Sequence, residues 1–398
     1  MRLLWLVRYP PVPPATGGDA VYSRKLIEHA AKVADVHVLT FTRRASAPAS
    51  RPGLTWQAVP QARHSRILSV LSPLPNIAYR HSQASFEQTA CELAPGFDAV
   101  VVDHIGLAFL VPRLRERLGA RCPPIILVHH DHEGSLRIDM ARAAPNPLMR
   151  LVLHADARKA GRLEREASLA ADGITAITTT DREAFAGDAP RAPCLLLMPG
   201  YDGPVAASRT IDDGTPPTVC ILGGRGAFHK KLVLRRILQR LAATGLQQRM
   251  RVEVVGGEAG DDPAYPGVRF LGYVDDIAGY MSNVRLGLIP DDIGGGFKVR
   301  ALTHVFLRVP MLALNDALRG MTLRPDIDYL GADSIEELVD RAPKCLADTA
   351  RLDAVQSAAF EHCRDRFSWD DRAAELLGFI REVSARRARL ASGRPAAA

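Results

Sequence analysis

Short runs of β-branched and aliphatic residues recur through the first two hundred positions, separated by stretches whose apolar residues return every three or four positions. Leu3–Val7, Val36–Phe41, Ala99–Val102, Ile125–Val128, Ile174–Ile177 and Cys194–Met198 have the length and composition of buried strands. Ser23–Val33 and Leu107–Arg117 carry the helical period. The plan restarts after the polar, proline-containing stretch Tyr201–Pro217. Strands are expected at Val219–Leu222, Arg251–Val255, Val268–Leu271, Leu286–Ile289 and Met311–Leu314, with helices at Lys231–Ala243, Ile277–Ser282 and Ile335–Ala347. Alternating β and α elements predict an α/β protein whose parallel sheets are covered on both faces. The expected domains are residues 1–200 and 201–369, followed by a helix at about 370–386 that packs back on the first domain. Residues 387–398, rich in Ala and Arg, are expected to be disordered. Ligands bind beyond the carboxyl ends of the strands in such sheets, so two facing sheets would place a deep substrate cleft between the domains.

Composition narrows the function classes. With 47% hydrophobic and 24% charged residues the chain reads as globular, and no run of eighteen apolar residues suggests a membrane span. The apolar start, Leu3–Val7, is cut short by Arg8 and a proline cluster, so it reads as a strand and not as a signal peptide. The six cysteines are scattered without a Cys-x-x-Cys pair, the pattern of reduced thiols in a cytoplasm. Charge is uneven: no acidic residue lies between Asp35 and Glu87, while Arg43, Arg44, Arg51, Arg63, Arg66 and Arg80 all do. Aromatic residues make up only 6% and do not interleave with this stretch, which argues against nucleic acid. Either a solvated loop or a surface for anionic lipid fits it. On a helix around Arg63–Leu71, residues Ile67, Leu68 and Leu71 would share one face beside Arg63 and Arg66. That face either packs on the sheet or gives salt-sensitive contact with the inner face of a membrane.

Two loops carry candidate phosphate chemistry. In Cys220–Lys231 a strand ends in Gly223, Gly224 and Gly226, and Arg225 and Lys230 follow five positions apart before a helix. Glycines allow a tight turn, and two cations beside a helix N-terminus can hold a diphosphate. His229 stands where a dinucleotide fingerprint has its third glycine, so this is not that motif. About seventy positions on, Gly294, Gly295 and Gly296 lie between a strand and an amphipathic helix, with Lys298 and Arg300 next. Their amides can form an anion-binding nest.

These motifs resemble, over nearly the whole chain, family 4 of the retaining glycosyltransferases, which have the GT-B fold of two facing Rossmann-like domains. Gly224-Arg225 with Lys230 is similar to the family's GRxxxxKG, whose Arg and Lys contact the donor diphosphate. Gly17 and Gly18 resemble its acceptor-side loop, and His130-Asp131-His132-Glu133 resembles a segment that meets the transferred sugar or the acceptor. Leu163-Glu164, Ala171-Asp172-Gly173-Ile174 and Thr179-Thr180-Asp181 match a further run. Pro199-Gly200-Tyr201-Asp202 resembles the domain junction. The resemblance puts Tyr273 and Val274 at the nucleotide base, and Arg319–Met321 with Asp326–Leu330 before the next strand. Phe367-Ser368-Trp369 precedes the last helix.

The resemblance implies an enzyme that moves a sugar from a nucleoside-diphosphate sugar to a hydroxyl of a sugar, lipid-linked or small-molecule acceptor, with retention of configuration. It implies catalytic roles for His130, Arg225 and Lys230, and donor contacts from Gly224, Tyr273, Val274, Gly294, Gly295, Gly296, Phe297, Lys298 and Thr303. Gly17, Gly18, His130 and Asp131 would lie on the acceptor side. Neither a cofactor nor a metal is expected. The His129–Glu133 run alternates its side chains and cannot converge on one ion, and Asp326-Ile327-Asp328 lies in the wrong architecture for a metal-binding DxD. The chain departs from the family at the usual pair of glutamates, where Gly295 and Thr303 stand, and at Arg308, where glycine is typical. A non-catalytic binding subunit, or a nucleotide-sugar epimerase of the same fold, are the alternatives.

Overall fold

The computed structural model describes residues 1–13, 17–42, 48–62, 64, 68–144, 146–223, 228–260, 262–293 and 296–392. It divides into two compact units, Met1–Pro199 with Trp369–Ala398, and Gly200–Ser368.

The N-terminal unit is built on seven parallel strands: β1 (Arg2–Val7), β2 (Asp35–Thr42), β3 (Leu54–Pro60), β4 (Ala99–Asp103), β5 (Ile125–Val128), β6 (Gly173–Ala176) and β7 (Cys194–Leu196). Their order is β3-β2-β1-β4-β5-β6-β7, with β1 paired to β2 through Leu3↔Val36 and to β4 through Leu3↔Ala99. Helices α1 (Gly18–Ala30), α2 (Leu68–Leu71), α3 (Asn76–Tyr79), α4 (Ala84–Leu93), α5 (Leu110–Leu118), α6 (Glu133–Arg142), α7 (Pro147–Ala170) and α8 (Thr179–Asp188) complete it as far as β7. The strands of β1, β4 and β5 are buried nearly throughout, which is why they read as unbroken apolar runs. The edge strand β3 alternates polar and apolar positions and is only partly buried, so it left no such run.

The C-terminal unit holds six parallel strands: β8 (Thr218–Leu222), β9 (Arg251–Val255), β10 (Val268–Gly272), β11 (Leu286–Ile289), β12 (Met311–Leu314) and β13 (Leu330–Ala332), in the order β10-β9-β8-β11-β12-β13. Helices α9 (Phe228–Thr244), α10 (Ile277–Met281), α11 (Val299–Phe306), α12 (Asn315–Leu318), α13 (Ile335–Ala347) and α14 (Thr349–Cys363) connect and follow them.

Helix α15 (Trp369–Ala391) belongs to the N-terminal unit and packs on α1, with Trp369 edge-on to Tyr22 at 5.8 Å between ring centroids. The tail expected to be disordered from 387 instead continues as helix to Ala391. Ala and Arg are strong helix formers, and Arg387 is anchored by the Cys122 carbonyl at 2.8 Å and the Asp172 carboxylate at 3.3 Å. Residues 393–398 lie outside the described residues.

Around Leu68 the anticipated helix is a single turn. Ser69 is its buried residue, whereas Leu71 is 82% exposed and Leu68 and Val70 are also exposed. The apolar side chains there do not pack on the sheet. Arg63, Arg66 and Ile67 lie outside the described residues.

Candidate functional site

In each unit the strand order reverses direction at the first strand, between β1 and β4 and between β8 and β11, and open α/β sheets open a crevice at such a point. Both candidate phosphate loops of the C-terminal unit leave that point. The first follows β8 and the second follows β11, which pair through Gly287↔Cys220. Gly224, Arg225, Gly294 and Gly295 lie outside the described residues, but the residues flanking them meet. Gly223 has φ +124°, and a Cβ built on it would come within 3.2 Å of Arg300 Nη1. Arg300 therefore lies over the start of the first loop from the start of α11, where its guanidinium donates to the buried Asp291 carboxylate. Lys230 falls in the first turn of α9, the positive end of the helix dipole. Lys298 stands at the N-cap of α11, its ammonium donating to the Gly296 carbonyl at 2.8 Å.

The other residues expected on the donor side are placed unevenly. Phe297 contacts the Phe367 ring edge-on at 5.9 Å. After β10, Tyr273 is exposed, whereas Val274 packs into a small apolar cluster with Cys220 and Val255. Thr303 on α11 bonds Tyr201, whose phenol burial pushes up to about 12 and whose hydroxyl donates to the Pro204 carbonyl at 2.9 Å. Arg308, where glycine is typical, has φ +52°, a left-handed conformation that costs a residue with a Cβ. Its guanidinium stacks on Phe360 at 3.7 Å and donates to the Ala206 carbonyl. Asp328 is buried and receives the Arg324 backbone and guanidinium and the His362 ring, so Asp326-Ile327-Asp328 is a folded loop.

The switch point of the N-terminal unit gathers buried charge. His130, after β5, donates from Nε2 to Asp103 Oδ1 at 2.6 Å, and Trp5 Nε1 donates to Asp103 Oδ2 at 2.9 Å. Burial opposes the imidazolium, but the charge and hydrogen bond of Asp103 outweigh it and raise the His130 pKa. His130 Nδ1 is buried without a hydrogen-bond partner among the described residues. Next to it His104 has φ +82° and ψ +147°, a conformation that costs a non-glycine residue about 1–3 kcal/mol and clusters at functional sites. Its Nδ1 accepts from the Gly106 amide at 3.0 Å, so the neutral ring points Nε2–H toward Glu133, 3.6 Å away. Burial, then Arg8 and His130, hold His104 neutral. Arg8 and Tyr9, after β1, both donate to Asp19, at 2.7 and 2.5 Å. Asp19 is the second residue of α1, whose N-cap is Gly17, with Gly18 first in the helix. Asp131 is half-buried beside His130.

Arg8, Tyr9, Asp19, Asp103 and His104 were not singled out from the sequence. The available signal was Asp103-His104 closing the β-branched run Ala99–Val102, at the carboxyl end where ligands sit.

The side chains of the His129–Glu133 run go two ways: His129 and His132 flank the Glu164 carboxylate, each 3.6 Å from one of its oxygens, while His130 and Glu133 stand beside His104. His129 bonds Ser168 at 3.1 Å, and burial lowers its pKa to about 3; His132 bonds Asp188 at 3.1 Å. The motif acids that surround the run organise backbone. Asp172 accepts the Ile125 amide at 2.6 Å, and Asp181 is capped by Thr178 and accepts the His132 amide. Glu164 on α7 accepts the Glu133 and Gly134 amides, each at 3.0 Å, and His132 Nδ1 accepts the Ser135 amide. The orphan amides of α6 are thus satisfied by side chains. Gly134 permits this because its Cα faces Gly161 of α7, where a Cβ would stand 3.3 Å from the Gly161 Cα. Glu164→Ala leaves two buried amides unbonded, each costing about 1–3 kcal/mol. Its urea midpoint, followed by tryptophan fluorescence, should fall accordingly; an unchanged midpoint would remove Glu164 as the cap of α6.

Two Rossmann-like sheets, each with a loop-built site at its switch point, define the GT-B class of α/β protein. Residues 230–378 match the family model described as glycosyl transferase-like. Solved structures agree on the fold. Sucrose-phosphate synthase from Thermosynechococcus elongatus superposes with TM-score 0.72 at 17% identity, covering 96% of this chain and 99% of that one. HepE of Anabaena in complex with UDP and glucose gives TM-score 0.64 at 14% identity over 96% and 100% of the two chains. WaaG, a glycosyltransferase involved in lipopolysaccharide biosynthesis, gives 0.62 at 16% identity over 94% and 99%. No curated protein matches the chain.

Proposed function

We propose that the protein is a glycosyltransferase that takes a sugar from a nucleoside-diphosphate sugar and delivers it to a hydroxyl acceptor with retention of configuration, as the resemblance to family 4 implies. The observation that supports this most is Arg300 lying over Gly223, which joins the two glycine loops at one switch point. As the glycosidic bond breaks, negative charge develops on the leaving diphosphate. Arg225, Lys230 and the amides of Gly294–Gly296 would stabilise it, the largest catalytic contribution such a site can make. HepE, bound to UDP and glucose in its own structure, lends the nucleotide sugar its plausibility as donor. On the acceptor side, Asp103 is committed to His130 and Trp5, so it is not free to act as a nucleophile, in keeping with front-face attack by the acceptor hydroxyl. His130 would donate to the transferred sugar or to the acceptor, as the resemblance implies. No metal or cofactor enters this reading. The scattered spacing of the cysteines fits a reducing cytoplasmic setting.

A thermal-shift panel of nucleoside diphosphates and nucleotide sugars tests the reading and identifies the base. Binding of none of them would overturn it. Gly295 and Thr303, standing where relatives have glutamates, favour a second reading, a binding subunit that holds the nucleotide without transferring sugar. Donor hydrolysis or transfer separates the two, and analysis of the product sugar detects an epimerase.

Thr303→Glu restores the carboxylate that relatives place on the ribose, in place of a hydroxyl that bonds Tyr201. It should fold and hold nucleoside diphosphate at least as tightly as the natural chain, read by calorimetry. Weaker binding by a folded variant would place the ribose elsewhere.

A further inference from the structure

We propose that one side of the N-terminal unit, formed by the outer stripe of α7 and the single turn α2, docks on an anionic lipid bilayer. Helix α7 starts firmly: Asn146 Oδ1 accepts the Leu148 and Met149 amides, and Pro147 occupies the first turn. Its first turns nonetheless expose Leu148 (70%), Leu151 (67%), Met149 and Val152. The buried residues of α7, Ala157, Ala160, Leu163, Glu164, Ala167 and Ser168, form a different face. Leu148, Leu151, Val152, Ala155, Lys159 and Arg162 follow the three-and-four spacing of one outward stripe. That stripe is apolar at its start and cationic further on.

Helix α2 joins the same stripe. Lys159 Nζ donates to the Val70 carbonyl at 2.7 Å and the Ser69 carbonyl at 3.4 Å. The exposed Leu68, Val70 and Leu71 therefore stand beside the cationic part of α7, past its apolar start. Scattered exposed apolar residues are ordinary, but four within the first turns of one helix, Leu148, Met149, Leu151 and Val152, make a patch.

Charge selects the partner. The stripe carries no acid as far as Arg162; the exposed Glu166, one turn on, ends its cationic part. Between Ala143 and Leu163 the single acid is Asp156, which Arg137 pairs at 2.8 Å and the Asn76 amide also bonds. Arg150, Arg158 and Arg162 make no ion pair among the described residues. Apolar side chains next to unneutralised cations suit an interface of acyl chains and acidic headgroups. No helix among the described residues is long and apolar enough to cross a membrane, so the contact is peripheral. It deepens the transfer reading by bringing the protein to lipid-linked acceptors, but rests on surface chemistry alone.

Co-sedimentation of the full chain with phosphatidylcholine vesicles, with and without phosphatidylglycerol, tests it without donor or acceptor, so failure here leaves the transfer reading standing. Binding should require the anionic lipid and weaken as salt rises. Leu148→Ser with Leu151→Ser should lower the partition coefficient at least tenfold. Arg158→Glu with Arg162→Glu should lower it more than about fivefold and flatten the salt dependence. Leu71→Ser is the independent check on α2, and circular dichroism establishes that each variant folds. Equal recovery with neutral and anionic vesicles, or unchanged partition of the folded leucine variants, would overturn the proposal. So would a dimer in sedimentation equilibrium that the same leucine changes dissociate, because the patch would then belong to a second copy.

Discussion

Lys230→Ala and Arg225→Ala are each expected to lower turnover by more than tenfold while leaving the fold intact. Two cations five positions apart after a strand can reach one diphosphate, and Lys230 adds its charge to the N-terminal turn of α9. An interaction that strengthens as the leaving group gains charge is worth about 2–4 kcal/mol when removed. Arg225 lies outside the described residues and enters by sequence position alone, so the two variants test the loop from both ends. Steady-state kinetics should show the loss chiefly in kcat, with a smaller effect on nucleoside diphosphate affinity. Near-normal turnover and affinity in both would mean the diphosphate binds elsewhere.

Asp103→Asn is expected to destabilise the N-terminal unit by about 3–5 kcal/mol, the usual consequence of removing one partner of a buried ion pair. Both carboxylate oxygens are in use, on His130 and Trp5, and asparagine can accept at only one position. The three tryptophans, Trp5, Trp56 and Trp369, all belong to this unit, so urea unfolding followed by their fluorescence reads it selectively. The effect should depend on pH. Because the native pKa of His130 is raised, its pairing contributes stability that is complete below the ordinary histidine value of about 6.5 and is lost as pH rises through the native value. The gap between natural chain and variant should therefore be widest in mild acid and narrow in mild base. Coincident midpoints at both pH values would show that Asp103 does not hold His130 charged.

Much of the fold was legible in the sequence because both sheets are parallel and their central strands are covered on two faces. Burial on both faces demands unbroken apolar runs, and Ala99–Val102, Ile125–Val128, Leu286–Ile289 and Met311–Leu314 display them. Strand β3 was not legible, because one partly exposed edge strand can alternate Thr55 and Gln57 with apolar neighbours. Nor was the reach of α15, since an Ala- and Arg-rich end looks the same whether it frays or finds Asp172 and the Cys122 carbonyl. The typical glycine replaced by Arg308 became intelligible only from its positive φ, which one residue in a linear chain does not reveal.

The candidate site divides along the same line. Glycine-rich loops, their cations and the histidine run are local features, set by which residues adjoin a strand, and the sequence by itself determined them. Which loops meet was decided by tertiary structure. Gly223 and Arg300 are far apart in the chain, and Trp5, Asp103 and His130 are separated by a hundred residues or more from end to end. Crossover connections make β8 and β11, and β1 and β4, neighbours, and this pairing carries each strand's last residues to a common crevice. Side-chain charge followed from that placement. Burial disfavours the charged form of His104 and His129, whereas the charge and hydrogen bond of Asp103 favour that of His130, and none of these conditions exists until the strands have paired.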